Sequence, residues 1–286
     1  MKKNIVFILS TSYAGSHYLS LMLGSNSRAL HIGEVKRLRK QEQDNAGTQY
    51  SPLNNDGTNP MLKGFCPQQI NEIYDVIFSN IDPAITTLID TSKKPFWAER
   101  FLDNPCYTYR FIHLIRDPRP YVRRMMLRYR TAGDRLRIRK QMIRDFLAYA
   151  PRFLFKADTE VYAYRWLKQN VDITDFLRKN RLEYELVTYF DLAHNTSSEL
   201  QRLTEAMGLT FEPGQIEYWN FEHHGTQKIE YQWIGQKKET NYFDMRWKEF
   251  LSPTVQQQIF ANPDINAYLD SLAIRYHDRG LSRTEK

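Results

Sequence analysis

The sequence has few cysteines and no long apolar segment, and these shortages exclude several classes of protein. Its two cysteines, Cys66 and Cys106, are too few for a disulfide framework, and they form no C-x-x-C pair that would indicate zinc. No run approaches the roughly 20 apolar residues that a membrane-spanning helix needs. The basic start of the chain resembles a signal peptide only briefly, because the apolar run at residues 5–9 is too short. We therefore predict a cytoplasmic protein without a transmembrane segment.

The chain also lacks the nucleotide-triphosphate loop G-x-x-x-x-G-K-[ST], and no acidic strand is suited to hold a magnesium ion beside such a loop. Internal repeats and low-complexity tracts are absent as well. What is present is an ordinary folded composition, with 42% hydrophobic residues, and a net charge of +7. That charge favours anionic partners, which include nucleotides, phosphorylated or sulfated substrates, nucleic acid and acidic membrane surfaces.

The first segment of the chain has the order strand, small-residue loop, helix. Residues 5–9 are apolar and predict a buried parallel strand, residues 10–16 are small and polar, and residues 18–23 predict a helix that ends near Gly24. Backbone N–H groups at such a helix start can bind an anion, and the hydroxyls of Ser12 and Ser16 would add donors. An ordinary strand-to-helix turn is the alternative interpretation.

Further strands are predicted at residues 85–89, 109–115 and 183–190. A helix should begin after the second of these, because Asp117 supplies an N-cap and Pro118 a first-turn proline. The remaining segments are a mainly helical region at 118–180, an amphipathic helix at 196–208 and a polar, mobile surface loop at 40–60. The simplest account is a single α/β domain over residues 1–286. It would have three layers around a central parallel sheet, a P-loop-like strand–loop–helix and a helical insertion at 118–180.

Two arginines mark a second candidate phosphate site. Arg116 follows the strand at 109–115, at the carboxyl end where ligands gather in open α/β sheets. Arg124 lies about two helical turns further on, so that both side chains are candidates to bind one phosphate. Residues 116–144 contain eleven Lys or Arg and two Asp, and a solvated basic face accounts for most of this run. The more specific alternative is that this basic run binds nucleic acid, although no recognisable binding motif supports it.

Several short motifs occur in a fixed order along the chain. They are Tyr13-Ala14-Gly15-Ser16-His17, Gly33-Glu34, Asp90-Thr91-Ser92-Lys93-Lys94-Pro95, His113-Leu114-Ile115-Arg116-Asp117-Pro118-Arg119 and Val187-Thr188-Tyr189-Phe190-Asp191-Leu192, followed by Glu222-His223-His224-Gly225 with Arg246-Trp247. Each motif is weak alone, but their order and spacing over most of residues 4–250 are specific. The combination resembles the PAPS-dependent sulfotransferase superfamily, in particular its bacterial and tyrosylprotein-sulfotransferase-like branch, where PAPS is 3′-phosphoadenosine 5′-phosphosulfate.

The resemblance implies a function and a set of binding residues. PAPS would be the donor, PAP the product, and the reaction an in-line displacement that moves a sulfuryl group to an acceptor hydroxyl without a required metal. The acceptor would be a small molecule, a carbohydrate, a lipid or a peptide, and no nucleic-acid partner is expected. The implied nucleotide-binding residues are Ser12, Tyr13, Ala14, Gly15, Ser16, His17, Tyr18, Arg116 and Arg124.

The same resemblance implies catalytic roles. Glu34 would be the general base, Lys93 would stabilise charge on the leaving group, and His17 is a lesser candidate. Burial of Glu34 would raise its pKa toward neutrality, whereas a surface ion pair is the ordinary interpretation of a glutamate. His113, inside an apolar strand, is interpreted as a hydrogen-bonded core histidine.

Two positions depart from the family pattern. Tyr13 stands where the family usually has Arg or Lys, which removes a cation near the sulfate, and Lys93 is a candidate to replace it. Arg124 stands where the family usually has Ser, and this change keeps the capacity to bind phosphate. Two alternatives stay open: a P-loop-like nucleotide kinase, and a non-catalytic binder of nucleotides or nucleic acid.

Overall fold

The structure is a computed structural model that describes residues 2–42, 59–145, 147, 150–223 and 243–284. Its strands are β1 (Lys3–Ser10), β2 (Ala29–Gly33), β3 (Thr87–Lys93), β4 (Tyr107–Ile115), β5 (Tyr184–Thr188), β6 (Ile274–His277) and β7 (Gly280–Arg283). Its α-helices are α1 (Ser16–Leu23), α2 (Ile73–Asn80), α3 (Pro95–Glu99), α4 (Pro118–Arg128), α5 (Ala132–Asp145), α6 (Ala150–Phe155), α7 (Asp158–Lys179), α8 (Tyr189–His194), α9 (Thr196–Ala206), α10 (Trp247–Phe250), α11 (Pro253–Phe260) and α12 (Pro263–Asp270). Short 3-10 helices cover Val35–Glu42, Pro60–Leu62, Pro67–Glu72 and Pro213–Asn220.

A parallel sheet of five strands in the order β2-β3-β1-β4-β5 forms the centre of the fold. Strand β1 lies in the middle because both its faces are apolar, as expected for a buried parallel strand. Ile5, Phe7 and Leu9 pack with α2, α3 and the end of α7. Val6 and Ile8 point to the other face and pack with α1 and α9. The predicted three-layer α/β fold is confirmed.

The helix after β4 begins as its sequence predicts. Pro118 is the first residue of α4, and the side chain of Asp117 accepts a hydrogen bond of 2.7 Å from the backbone N–H of Arg119. Helices α4 to α7 occupy the region predicted to be helical. The last turns of α7 pack on the sheet through Ile173 and Phe176.

The strand predicted at 85–89 extends further toward its carboxyl end than its apolar residues indicate. Strand β3 continues to Lys93 because the carboxylate of Asp90 is fully buried and satisfied. Asp90 accepts hydrogen bonds from Tyr74 Oη at 2.7 Å, Trp97 Nε1 at 2.8 Å and the backbone N–H of Ser92 at 2.6 Å. The strand predicted at 183–190 is shorter, since the side chain of Thr188 caps α8.

Several elements were not predicted from the sequence, among them strand β2, the hairpin of β6 and β7, and helices α2 and α10 to α12. Strand β2 is short and carries a fully buried histidine, His31, between apolar neighbours. The hairpin of β6 and β7 forms a separate two-stranded sheet. Most of the loop predicted at 40–60, residues 43–58, lies outside the described residues. Of the described helices, none is both long and apolar enough to cross a bilayer.

Candidate active site

A cleft of ≈ 570 Å³ opens where the sheet strands end. Its walls come from the loop after β1, the residues after β2, the last residue of β3 and the residue after β4, so that it lies at the carboxyl edge of the sheet, as expected for an α/β fold. Its charged lining is strongly basic. The cations are Lys36, Arg37, Lys93, Arg116, Arg123, Arg124, Arg128 and Arg246, and the acids are Glu34 and Asp244.

The structure brings all but one of the predicted site residues to this cleft. The residues that line it are Ser12, Tyr13, Gly15, Ser16, His17, Tyr18, Glu34, Lys93, Arg116 and Arg124. Ala14 is the exception, because it is buried and packs with α1 in the core on that face of the sheet. The roles assigned to these residues stay predictions.

Sequence reasoning missed six charged residues of the cleft. Arg123 and Arg128 belong to the basic run that was interpreted as a solvated face. The available signal was the spacing of Arg128, which lies four residues after Arg124 on one helix. The others are Lys36 and Arg37, just after Glu34, and Asp244 and Arg246. Only the folded chain brings these last two beside Arg116.

The loop between β1 and α1 is shaped to present backbone N–H groups. Gly15 precedes the helix with a φ of 99°, a left-handed conformation that suits glycine. A Cβ atom at this position would lie 2.7 Å from Cδ2 of Tyr189. Ser16, His17 and Tyr18, the first residues of α1, line the cleft. The start of a helix is a position suited to an anion, because the first-turn N–H groups have no acceptor one turn earlier in the helix.

Arg116 lies beside the loop and is held there by three contacts. Its Nη1 donates to the carbonyl oxygen of Tyr13 at 2.9 Å, and its Nη2 to Oδ2 of Asp244 at 3.2 Å. Its guanidinium carbon lies 4.3 Å from the centroid of the Tyr189 ring. The Nε atom is buried and has no hydrogen-bond partner among the described residues. Arg116 thus has one buried donor without the partner that buried donors usually have.

Glu34 forms ion pairs with two cations, and this corrects the expectation about its acidity. Its Oε1 accepts from Lys93 Nζ, and its Oε2 accepts from Arg37 Nε at 2.7 Å. Burial favours a raised pKa, but the charges and hydrogen bonds of Lys93 and Arg37 outweigh it, so that the pKa of Glu34 is lowered to about 2. The predicted rise of the Glu34 pKa toward neutrality is therefore wrong, because the sequence did not reveal the two cations.

The ammonium of Lys93 is positioned by the backbone that carries it. Lys93 has a φ of 67°, an uncommon conformation for a non-glycine residue. Lys36 holds the preceding peptide, since its Nζ donates to the carbonyl of Ser92 and its N–H donates to Ser92 Oγ at 3.1 Å. Burial, against the opposing charge of Glu34, lowers the pKa of Lys36 to about 8.

Three histidines lie close together beside β2, and one of them, His17, lines the cleft. The ring of His17 lies 5.2 Å from the ring of His31, which lies 6.3 Å from that of His223. Burial, with the charge of Lys93 as a second cause, lowers the pKa of His31 to about 3. His113 lies elsewhere in the core, 3.3 Å from Oδ1 of Asn170, as its apolar strand predicted. Within the described part of the chain, no group of three or more His, Cys, Asp or Glu residues is arranged to hold a metal ion.

Replacement of Glu34 by Gln should reveal the ion pairs through their pH dependence. A carboxylate whose pKa falls from about 4.5 to about 2 on folding stabilises the protein above pH 4.5 by on the order of 3 kcal/mol. The wild-type advantage should shrink as the pH falls from about 5 toward 2. Urea unfolding of both proteins between pH 7 and pH 3.5 measures it, with Glu183→Gln at an exposed position as the control. A difference that does not change with pH would contradict the ion-pair assignment.

Comparisons with known proteins identify the fold. The sequence matches no protein-family model, and no curated protein matches it. The structure is similar to the sulfotransferase domain from the curacin biosynthetic pathway, with a TM-score of 0.55 and 20% identity over 90% of this chain and 96% of that one. It is also similar to the sulfotransferase domain of the Synechococcus PCC 7002 olefin synthase, with a TM-score of 0.52 and 15% identity over 97% and 98%. The resemblance to the sulfotransferase superfamily is thus confirmed for the fold: this chain folds as sulfotransferase domains do.

Proposed function

We propose that the protein is a sulfotransferase that moves a sulfuryl group from PAPS to an acceptor hydroxyl and releases PAP. One observation carries the proposal: a single basic cleft joins the N-terminal loop of α1 to Arg116, with Lys93 and Glu34 between them. The fold alone does not establish an activity, because one fold hosts many functions. The site therefore carries the functional argument.

The cleft fits a nucleotide with two separate phosphate groups. The N–H groups at the start of α1 suit the 5′-phosphosulfate, as backbone donors at a helix N-terminus bind anions. Arg116, whose buried Nε has no hydrogen-bond partner in the described part of the chain, suits the 3′-phosphate, and Arg124 lines the same cleft. The eight cations against two acids match a polyanionic ligand.

PAPS would supply the sulfuryl group, and the side chains of the cleft would act around it. Lys93 is the cation placed to neutralise charge that develops on the leaving phosphate, and the N–H groups of the α1 loop would assist it. Glu34 would accept the acceptor's proton. In the ligand-free protein Lys93 holds Glu34 as an ion pair. We propose that a bound phosphate draws Lys93 away, which raises the pKa of Glu34 and makes it a better base.

The acceptor is proposed to be a small molecule, a carbohydrate, a lipid or a peptide with a free hydroxyl. Its entrance would lie beside Glu34, where Arg37 and Tyr218 also line the cleft. His17 lines the same part of the cleft and is the second candidate for proton transfer. Acceptor specificity resides in loops, which vary most among proteins of one fold.

Thermal unfolding with nucleotides tests the donor site without an acceptor. We expect PAP to raise the melting temperature far more than AMP, which lacks the 3′-phosphate. A ligand at roughly 100 times its dissociation constant adds about 2.7 kcal/mol, which is easily measured. Arg116→Ala should reduce the PAP shift to the size of the AMP shift. The matched control is Arg130→Ala, an exposed arginine that does not line the cleft.

Three outcomes of this experiment would contradict the proposal. Equal shifts with PAP and AMP would mean that the protein has no 3′-phosphate site. A shift with ATP and magnesium alone would favour the kinase, and no shift with any nucleotide would favour a protein that does not bind them.

Replacement of Lys93 by Ala tests the leaving-group role. Turnover should fall by roughly 100-fold or more, the usual cost of removing a donor that stabilises a transition state. The affinity for PAP should change by only a few-fold. PAP release from PAPS, with a mixed panel of hydroxyl acceptors, measures the first quantity and calorimetry the second. Lys94→Ala is the control, because Lys94 donates to Gln169 and does not line the cleft. Unchanged turnover in the Lys93 variant would remove it from this role.

A further inference from the structure

The phosphate loop of this protein carries no lysine or arginine of its own. Between Ser10 and Tyr18 the only side chain that can become cationic near neutral pH is His17. A phosphate group bound at this loop needs positive charge nearby, because charge-assisted hydrogen bonds are roughly twice as strong as neutral ones. That charge must therefore come from other elements of the fold.

The backbone of Tyr13 is fixed in an uncommon conformation. Tyr13 has a φ of 67°, which is costly for a bulky side chain unless its surroundings hold it. Its carbonyl oxygen accepts a hydrogen bond of 2.9 Å from Arg116 Nη1. The phosphate loop and the arginine after β4 are thus joined directly, and the phenol ring is aimed at α4.

Two arginines of α4 contact the Tyr13 side chain. The guanidinium carbon of Arg124 lies 4.8 Å from the centroid of the ring. Nη1 of Arg128 donates to the phenol oxygen at 3.1 Å. The two arginines are one helical turn apart on the same face of α4, where like charges repel each other. Tyr13 stabilises both of them at the wall of the cleft, which all three residues line.

We propose that Tyr13 is a positioning residue that holds Arg124 and Arg128 as phosphate-binding cations in place of a cation of the loop itself. The inference rests on the proposed function, since the ligand is a phosphate group of the donor nucleotide. It also unites the two departures of this chain from the sulfotransferase pattern. Tyr13 and Arg124, far apart in sequence, are in contact, so that the charge missing from the loop is present on α4.

A double-mutant cycle tests the proposal through the dissociation constant for PAP. In the wild-type background, Arg124→Ser should weaken PAP binding by at least about tenfold, the cost of one charge-assisted contact. In the Tyr13→Arg background, the loop has its own cation, and the same replacement should cost less than about threefold. Penalties that are equal in the two backgrounds would overturn the proposal, as would a wild-type affinity that Arg124→Ser does not change.

A second cycle isolates the hydrogen bond to Arg128. Tyr13→Phe keeps the ring and removes only the phenol oxygen, and it should weaken PAP binding a few-fold. It should have no further effect once Arg128→Ser has removed the partner. Two independent penalties would show that the tyrosine does not act through Arg128, and the inference would fail for that residue.

The control for both cycles is Arg123→Ser. Arg123 lines the cleft, but the ring that it contacts is Phe250, 5.5 Å away, and not Tyr13. Its penalty should be the same with Tyr13 and with Tyr13→Arg. Circular dichroism and urea unfolding confirm that each variant is folded before binding is measured. If the wild-type protein does not bind PAP, both the proposed function and this inference are wrong. If it binds PAP but the losses of affinity in the cycles are additive, only the inference is wrong.

Discussion

The position of Arg116 is the constraint on which the site depends. The pairing of β4 with β1 brings Leu114 opposite Ser10, so that the arginine leaves the sheet beside the phosphate loop. There its guanidinium bonds to the loop and to Asp244, and it stacks on the ring that follows β5. Its own carbonyl oxygen accepts a hydrogen bond of 2.8 Å from Trp166 of α7. One residue thus links the sheet, the loop, the helical layer and the C-terminal segment.

A second constraint is the pairing of charges in the cleft. Two carboxylates compensate cations that a polyanionic ligand would otherwise neutralise. The pKa of Asp244 is lowered to about 2, since Arg246 and Arg116 outweigh the effect of its burial. The pKa of Glu34 is lowered in the same way by Lys93 and Arg37. Four of the cations, Arg37, Lys93, Arg116 and Arg246, are therefore held by ion pairs, which would reduce the cost of ordering them around an anionic ligand.

The sequence predicts those parts of the structure that depend on local pattern. Strand β1, its loop, α1 and the N-cap of α4 follow from apolar runs, small residues and the Asp117-Pro118 pair. Strand β2 escaped prediction because its pattern is short and interrupted by a buried histidine. The predicted direction of the Glu34 pKa shift was wrong. One cause of the lowered pKa is Lys93, which is 59 residues away in sequence and comes near only in the folded sheet. The contact between Tyr13 and Arg124 of α4 could not be predicted from the sequence either, although both residues had been identified there as departures from the family pattern.

The most direct test of the account is the structure of the protein crystallised with PAP. The account predicts that the 3′-phosphate lies within hydrogen-bond distance of Arg116, and that Arg124 and Arg128 contact a phosphate group of the nucleotide beside Tyr13. It also predicts the 5′-phosphate at the N–H groups of Ser16, His17 and Tyr18, with Lys93 turned toward it and away from Glu34. PAP bound outside the cleft, or bound there with its 3′-phosphate in solvent, would contradict the account.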